Sequence, residues 1–249
     1  MKSKPGPLGR ILHYNDVPKQ NLLRQVTMGG NAYNWDFISA LLNWRLLSIG
    51  LVNTIKLAAV CLVCGLFLGL FVGAARYSKK WVFNWPATVF VEVFRNTPAL
   101  VQIMWFFFAL PILLPFDIDS FTAAFLGLML NTVAFSAEIF RGGIQSIAPG
   151  QWEAGKAIGM TYVQQMRRVI LPQAIKRMIP AFTNRGVELT KMTSLASVIA
   201  YAELIHQAKT ISTMNFNPIE TYTIVAVVYF FLIFPITLLV RRFEKKANE

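Results

Sequence analysis

The sequence contains four long stretches without a single charged side chain. These stretches are residues 57–75, 98–116, 121–137 and 221–240. A helix that crosses a bilayer needs about 20 apolar residues, because the hydrocarbon core is ~30 Å thick and a helix rises ~1.5 Å per residue. A helix also keeps its backbone amides bonded where no water is present. The chain is therefore expected to be an all-α integral membrane protein.

The distribution of basic residues adds a fifth predicted span and sets the orientation of all five. Short loops rich in Lys and Arg stay on the cytoplasmic side of a membrane. Basic residues occupy the predicted loops 76–95 and 141–177 and the end of the chain, whereas the loop containing Asp117 and Asp119 has none. Only a further crossing at 178–202, which carries three charges, satisfies this pattern. The N-terminus is then outside and the C-terminus is cytoplasmic.

The predicted organisation has three parts. Residues 1–48 form a periplasmic or interfacial segment, residues 49–241 the transmembrane domain, and residues 242–249 a cytoplasmic tail. The predicted spans are about 49–75, 98–116, 121–140, 178–202 and 221–240. Apolar residues between Trp35 and Leu46 recur at helical spacing, which is typical of an interfacial helix or of an extension of the first span. Basic residues within 1–48 oppose the outside placement, but the rule weakens in long segments.

The net charge of +12 does not require a nucleic-acid partner. The basic residues gather between the apolar stretches, as membrane orientation requires, and form no stripe with interleaved aromatic residues. Cys61 and Cys64 have C-x-x-C spacing, but both lie in an uncharged stretch without a second cysteine pair or a nearby histidine. We interpret them as small apolar residues of one helix, and neither His13 nor His206 supports a metal site.

The cytoplasmic loop 141–177 is long for a helix connection, which favours a functional role. The Pro149-Gly150 pair predicts a turn that places Glu153 in the first turn of a short helix, where a negative charge suits the helix dipole. Gly159 is expected to end this helix, because glycine adopts the left-handed C-terminal conformation most easily.

A second helix is predicted to follow immediately. Thr161 and Gln164 have the spacing of a capping box, and the helix is expected to run to Leu171, where Pro172 interrupts it. The loop would thus present a short helix, a sharp turn and a second helix on the cytoplasmic face. A rigid projection of this kind is suited to receive force from a soluble partner.

Several residues of this loop resemble the EAA motif of ABC importer permeases in type and spacing. They are Glu153, Ala154, Gly155, Gly159, Ile170, Leu171 and Pro172. Gly155 departs from the motif, which prefers alanine there; glycine weakens a helix by about 1 kcal/mol and would make docking more flexible. The segments 92–98, 137–143 and 191–197 are similar to the polar amino acid branch of that family, so the resemblance covers nearly the whole membrane region.

The resemblance implies a type I ABC importer permease fold of five transmembrane helices with a cytoplasmic coupling-helix loop. In this family the loop docks on an ABC ATPase dimer, which binds ATP and Mg and drives the permease between outward and inward states. It also implies a second permease subunit, identical or paralogous, an extracytoplasmic substrate-binding protein and a bacterial inner-membrane location. The chain has no G-x-x-x-x-G-K-[ST] phosphate loop, so neither enzyme activity nor a cofactor of its own is expected.

The implied substrate is a polar amino acid. Residues 31–35 are similar to acidic amino acid permeases, which indicates glutamate or aspartate, with glutamine beside them. A basic amino acid or another small polar solute is the alternative. An ATP-independent secondary transporter is a further alternative. The absence of an internal repeat and of an acidic relay within the spans opposes it.

Polar residues inside the predicted spans are costly, so they are candidates for a substrate path. The candidates are Asn131, Thr132, Glu188, Lys191, Thr193 and Ser194. For Asn131 and Thr132 an interhelical hydrogen bond is an equal alternative, and for the others a purely structural network is. Glu138 with Arg141, and Glu188 with Lys191, are each three residues apart and can form ion pairs.

Overall fold

A computed structural model describes the backbone of residues 35–114 and 117–248 and the side chains as far as Leu238. Predictions about residues 1–34, including most of the 31–35 resemblance, lie outside the described residues. Within the described ranges every regular element is helical, which confirms the expected all-α fold.

The helices follow one another with short connections. They are α1 (Phe37–Leu42), α2 (Trp44–Tyr77), α3 (Trp81–Asn96), α4 (Ala99–Leu113), α5 (Ser120–Gln145), α6 (Pro149–Ala157), α7 (Tyr162–Gln165, Met166–Ile170 and Leu171–Met192 in one continuous run), α8 (Leu204–Asn215) and α9 (Pro218–Asn248). Within α7 the Met166–Ile170 turn is π-helical, and a 3₁₀ helix at Thr193–Ile199 follows α7.

Three helices, α2, α5 and α9, are long and apolar enough to cross a membrane. Helices α3 and α4 are bent by 104° relative to each other and add a fourth span if the bent pair counts as one. Helix α7 is less apolar than these helices, and Arg185, Glu188 and Lys191 lie in its second half. A crossing by α7 therefore stays a prediction from the pattern of basic loops.

Several predicted boundaries are wrong. The segment 81–96, expected as part of a loop, is helix α3, and helix α8 was not anticipated. The region 178–202 is not one helix, because α7 ends at Met192 and the 3₁₀ helix ends where Ala200 takes a left-handed conformation with φ 58°. Helix α9 continues to Asn248, so the predicted tail is helical as far as this residue, and its cytoplasmic location stays a prediction.

Helices α2 and α5 pack closely against each other, because α2 presents glycines four residues apart. A Cβ atom added at Gly65 would lie 2.5 Å from Thr132 Cγ2, and one added at Gly69 would lie 2.5 Å from Ser136 Cβ. Small residues at this spacing let two helix backbones approach, and they are characteristic of helix pairs in membranes. The G-x-x-x-G spacing was a usable sequence indicator of this contact.

The bend between α3 and α4 is stabilised by a side chain of α4. Pro98 precedes α4 in an extended conformation, and a proline cannot donate the backbone hydrogen bond that would continue α3. The Gln102 Nε2 amide donates to the Phe94 and Thr97 carbonyls at 2.8 and 2.9 Å. Helix α4 begins at Ala99, next to the predicted start of the second span at Pro98, and the start of the span itself stays a prediction.

The N-terminal helix α1 is separated from α2 by a break at Asn43. The Asn43 side-chain amide donates to the Ser39 carbonyl at 2.9 Å, so the break is hydrogen-bonded. Ile38 and Leu42 of α1 are exposed, as is Trp44 at the start of α2. Residues 37–42 therefore form a separate helix, whereas residues 44–46 of the predicted helix belong to α2, and a location at a membrane interface stays a prediction.

Candidate functional site

The loop between α5 and α7 begins with α6, which starts at Pro149, within the turn that was predicted to precede it. Pro149 is the first residue of α6. A proline suits this position, because the N–H that it lacks would be unpaired there anyway. Pro149 and Gly150 are thus part of the helix and do not form a turn before it. Glu153 consequently lies in the second turn, not the first, and its side chain is exposed.

The end of α6 agrees with the sequence prediction. Gly159 has φ +74°, the left-handed conformation that glycine adopts without steric cost. The Gly159 and Met160 N–H groups donate to the carbonyls of Lys156 and Gly155, each at 3.0 Å. These bonds close α6 and reverse the chain within a few residues.

The capping box at the start of α7 is also confirmed. The Gln164 N–H donates to Thr161 Oγ1 at 3.4 Å, and the Thr161 N–H donates to Gln164 Oε1 at 3.0 Å. Two backbone donors that the helix leaves unpaired at its start are satisfied reciprocally.

Replacing Thr161 with alanine is expected to loosen the first turn of α7, because a lost N-cap costs about 1 kcal/mol. Hydrogen–deuterium exchange of the amides at 162–165 should accelerate about fivefold. Thr213→Ala is the matched control, since this exposed threonine bonds only to the Lys209 carbonyl within α8. Unchanged exchange at 162–165 in Thr161→Ala would contradict the capping role.

Pro172 does not interrupt the second helix, contrary to the prediction. Helix α7 passes through Leu171 and Pro172 to Met192. The turn immediately before, Met166–Ile170, is π-helical. Such a wider turn accommodates a proline, whose ring would otherwise clash with the carbonyl four residues earlier. The Leu-Pro part of the motif therefore marks a local change of helix type.

Helix α6 is held against α7 by Gln165. The buried Gln165 side chain donates from Nε2 to the Gln151 and Trp152 carbonyls at 3.2 and 2.5 Å. Gly155 faces the same side chain, and an added Cβ would lie 2.6 Å from Gln165 Nε2. A larger residue here would require the Gln165 side chain to move. The packing of Gly155 against Gln165 is therefore a structural explanation for this glycine, in contrast to the flexible docking that the sequence suggested.

The remaining motif residues divide between two faces of this segment. Ile170 is fully buried beside Ala174 and Ile147, whereas Pro172 is exposed. Glu153 and Ala154 are exposed on α6, and Ile158 and Val163 beside the turn are 77% and 71% exposed. We call the exposed set Glu153, Ala154, Ile158 and Val163 the loop face. It combines apolar side chains with one carboxylate, a composition suited to protein contact.

A pair of aromatic residues flanks the loop face. The rings of Trp152 and Tyr162 are stacked with their centres 6.1 Å apart. Partial burial raises the pKa of the Tyr162 phenol, with Tyr77 adding to the shift. The Tyr162 hydroxyl is therefore a neutral donor at physiological pH. Tyr77 is the last residue of α2, so Tyr162 lies close to this end of the helix.

A cluster of charges centred on Glu138 connects α2, α3 and α5. Glu138 pairs with Arg141 three residues later, which confirms the predicted ion pair. The same carboxylate accepts from Arg76 at 2.6 Å and lies 3.7 Å from Arg95. Arg76 also pairs with Glu92 at 2.6 Å. Sequence reasoning treated Arg76 and Arg95 only as orientation anchors, because their partners are distant in the chain.

Replacing Glu138 with glutamine is expected to destabilise this cluster by about 2 kcal/mol, since hydrogen bonds to charged groups contribute ~1.5–3 kcal/mol. The thermal midpoint should fall by about 4–8 °C. Glu92→Gln is the matched control, because Glu92 is half exposed and reaches only Arg76 among the arginines. Its effect should be under ~1 kcal/mol. Equal shifts in the two variants would contradict the central position of Glu138.

A second polar cluster lies inside the bundle around Arg185 of α7. The Arg185 side chain is 2% exposed, and its guanidinium donates to Asn131 Oδ1 at 2.6 Å and to Glu188 Oε2 at 2.9 Å. Thr132 Oγ1 is 3.3 Å from the same guanidinium, which also lies 4.3 Å above the Phe135 ring. Asn131 in turn donates to the Phe94 carbonyl at 3.0 Å, so three helices meet here.

The Arg185 cluster unites three of the predicted site residues, Asn131, Thr132 and Glu188, through an arginine that was not among them. The missed indicator was Arg185 itself, since a charge within a predicted span is rarely isolated in a membrane protein. Its partners include two polar residues of another helix, Asn131 and Thr132. Glu188 pairs with Arg185 and not with Lys191 as predicted. The Glu188 side chain remains 55% exposed, so part of its carboxylate is open.

The other three predicted residues lie outside this cluster. Lys191 is exposed and lines a groove with Tyr229, Phe230 and Phe234 of α9. The Thr193 and Ser194 hydroxyls donate to the carbonyls of Thr190 and Lys191 within their own chain segment. Both hydroxyls are therefore hydrogen-bonded to the backbone where α7 tightens into the 3₁₀ helix.

Comparison with known proteins gives one family. Residues 65–249 match the family described as binding-protein-dependent transport system inner membrane component. The chain is 41% identical over 204 residues to the glutamine transport system permease protein GlnP of Escherichia coli (strain K12), covering 82% of this chain and 93% of the relative. It is 35% identical over 216 residues to the arginine transport system permease protein ArtQ of Bacillus subtilis (strain 168), covering 87% and 99%.

A solved structure has the same fold. It is the crystal structure of an amino acid ABC transporter with histidines, which superposes with a TM-score of 0.82 at 35% sequence identity. The superposition covers 86% of this chain and 99% of that chain. The helical arrangement described above is therefore that of a transporter subunit.

Proposed function

Since the chain belongs to the family of binding-protein-dependent transport system inner membrane components, we propose that it forms half of the translocation path of an ABC importer for a polar amino acid. The relatives named for glutamine and arginine transport, and the solved amino acid ABC transporter, support this class of cargo. Glutamine is the first candidate, with glutamate and aspartate beside it. The half-exposed Glu188 carboxylate supports the alternative, a basic amino acid, whose cationic side chain it would attract.

The proposed assembly contains several proteins besides this chain. An ABC ATPase dimer binds ATP and Mg, and a second permease, identical or paralogous, supplies the other half of the path. An extracytoplasmic binding protein delivers the amino acid. In the proposed orientation the N-terminus is outside the bacterial inner membrane and the C-terminus is cytoplasmic, in keeping with the basic loops.

One observation carries the coupling part of the proposal, namely the combination of a rigid base and an exposed loop face. Gln165 and Gly155 fix α6 on α7, and α7 continues without a break from the loop to Arg185 and Met192. A displacement of α6 by an ATPase would therefore be transmitted along α7 into the bundle. A flexible loop could not transmit such a force.

Charge reversal on the loop face tests the docking directly. In co-purification from membranes, Glu153→Lys is expected to lower the amount of bound ATPase at least tenfold, because a reversed charge in a buried contact costs several kcal/mol. Asp117→Lys is the matched control, since Asp117 is exposed in the loop before α5, on the opposite side in the proposed orientation. Undiminished ATPase binding by Glu153→Lys would sink the docking proposal.

We further propose that Glu188 and Lys191 line the substrate path, with the buried Arg185 positioning Glu188 and with Asn131 and Thr132 holding Arg185 in place. An amino acid carries an ammonium and a carboxylate, and this stretch of α7 offers both signs of charge within two turns. The buried guanidinium is fixed by its bonds to Asn131 and Glu188, so the exposed edge of Glu188 has a defined position. Thr193 and Ser194 contribute indirectly, because their hydroxyls bond to the backbone at the start of the 3₁₀ helix.

A further inference from the structure

A cavity of about 840 Å³ lies where the transmembrane bundle meets the cytoplasmic loop, beside the loop face and away from the Arg185 cluster. Its walls are mostly apolar and come from three helices. Leu70 and Ala74 belong to α2, Phe140 to α5 and Met166 to α7. The volume and the lining are those of a small-molecule site, which usually has apolar walls and a few polar groups.

The polar groups of the cavity come from one end of α2 and the loop. Lys79 and the hydroxyl-bearing residues Tyr77, Ser78 and Tyr162 line it, and no carboxylate does. This end of α2 is cytoplasmic in the proposed orientation, at the level of the lipid headgroups. The inner leaflet carries anionic lipids there, and basic pockets between helices bind their headgroups. The charge of the cavity therefore complements an anionic headgroup.

The apolar part of the cavity continues onto an exposed face of α2. Phe67, Leu70 and Phe71 are 62%, 44% and 57% exposed, and they precede Ala74 at helical spacing. Such a surface in a membrane helix is matched to acyl chains. A molecule that suits both parts must have a long apolar chain and an anionic head.

We propose that this cavity binds an anionic phospholipid of the cytoplasmic leaflet, with its phosphate at Lys79 and Ser78 and an acyl chain along Leu70 and Ala74. The lipid would also contact Tyr162 and Met166 in the first turns of α7. It would thus fill the space between the end of the first span and the loop. The position of the loop would then depend on whether the lipid is bound.

Native mass spectrometry of the full chain in detergent tests this site. The probes are phosphatidylglycerol, phosphatidylcholine with the same acyl chains, and inorganic phosphate. Phosphatidylglycerol is expected to be retained about fivefold more than phosphatidylcholine, the ratio that corresponds to ~1 kcal/mol per lysine near a membrane surface. Phosphate alone should not displace it. Lys79→Gln should remove this preference, and Ala74→Trp should lower retention of both lipids by filling the cavity.

Lys80→Gln is the matched control, because Lys80 is exposed and lies outside the cavity lining. Equal losses in Lys79→Gln and Lys80→Gln would show non-specific attraction and overturn the proposal. Full lipid retention in Ala74→Trp, or displacement by phosphate, would also overturn it. Loss of the lipid when the ATPase binds would assign the cavity to a protein partner instead. If Ala74→Trp does not fold, the two lysine variants decide.

Discussion

Replacing Arg185 with methionine is expected to reduce amino acid uptake by the importer to background. The substitution leaves Asn131 Oδ1 without its 2.6 Å donor and Glu188 without its 2.9 Å partner. Leaving a buried acceptor such as Asn131 Oδ1 unpaired costs ~1–3 kcal/mol, so the stability of the subunit should also fall. Uptake is therefore measured per assembled complex, with radiolabelled substrate in proteoliposomes.

Lysine at the same position separates a positioning role from a merely structural one. Arg185→Lys keeps the charge, but a single ammonium cannot reproduce the planar arrangement that reaches Asn131, Thr132 and Glu188 together. We expect an assembled complex with uptake lowered at least tenfold. Arg177→Met, at an exposed arginine on the same helix, is the control and should transport normally. Normal uptake by Arg185→Lys and Arg185→Met would remove this cluster from the path.

Replacing Gly69 with leucine is expected to prevent correct folding of the subunit. A Cβ at this position would lie 2.5 Å from Ser136 Cβ and 3.1 Å from the Val133 carbonyl oxygen, so the α2 and α5 backbones must move apart. Overpacking of a tight contact costs ~1–3 kcal/mol, and more where backbone cannot yield. The yield of monodisperse protein in gel filtration should fall at least tenfold, and Gly69→Ala should be intermediate.

Gly142→Leu is the matched control for Gly69→Leu. Gly142 is also in a membrane helix, but an added Cβ there meets no atom within 4 Å. Its yield should equal that of the unaltered chain. If Gly69→Leu were produced as well as Gly142→Leu, the close approach of α2 and α5 would not be required for the fold.

The parts of the site that could be predicted from the sequence depend on local chemistry. Gly159 ends α6 and Thr161 with Gln164 caps α7, because each effect involves residues only a few positions apart. Pro172 was misjudged because its effect depends on the helix type before it. The π-helical turn at Met166–Ile170 accommodates Pro172, and the π-helical turn at Trp105–Ala109 precedes Pro111 in the same way, whereas Pro180 lies in α7 without such a turn.

The Arg185 cluster could not be predicted from spacing alone. Its contacts join residues 53 and 54 positions apart, and they depend on how α5 and α7 are rotated toward each other. The sequence therefore indicated Asn131, Thr132 and Glu188 as separate candidates but not the arginine that unites them. The same holds for Glu138, whose pairing with Arg141 is local and whose pairing with Arg76 spans 62 positions.

The central claim is that this chain is a path-forming subunit whose transport depends on an ATPase docked at the loop face. The most direct measurement is amino acid uptake into proteoliposomes containing this chain with its ATPase, its binding protein and any second permease of the native complex. We expect uptake only with ATP, and loss of ATP-driven uptake on Glu153→Lys but not on Asp117→Lys. Uptake by the permease without the ATPase, or full ATP-driven uptake by Glu153→Lys, would contradict the account.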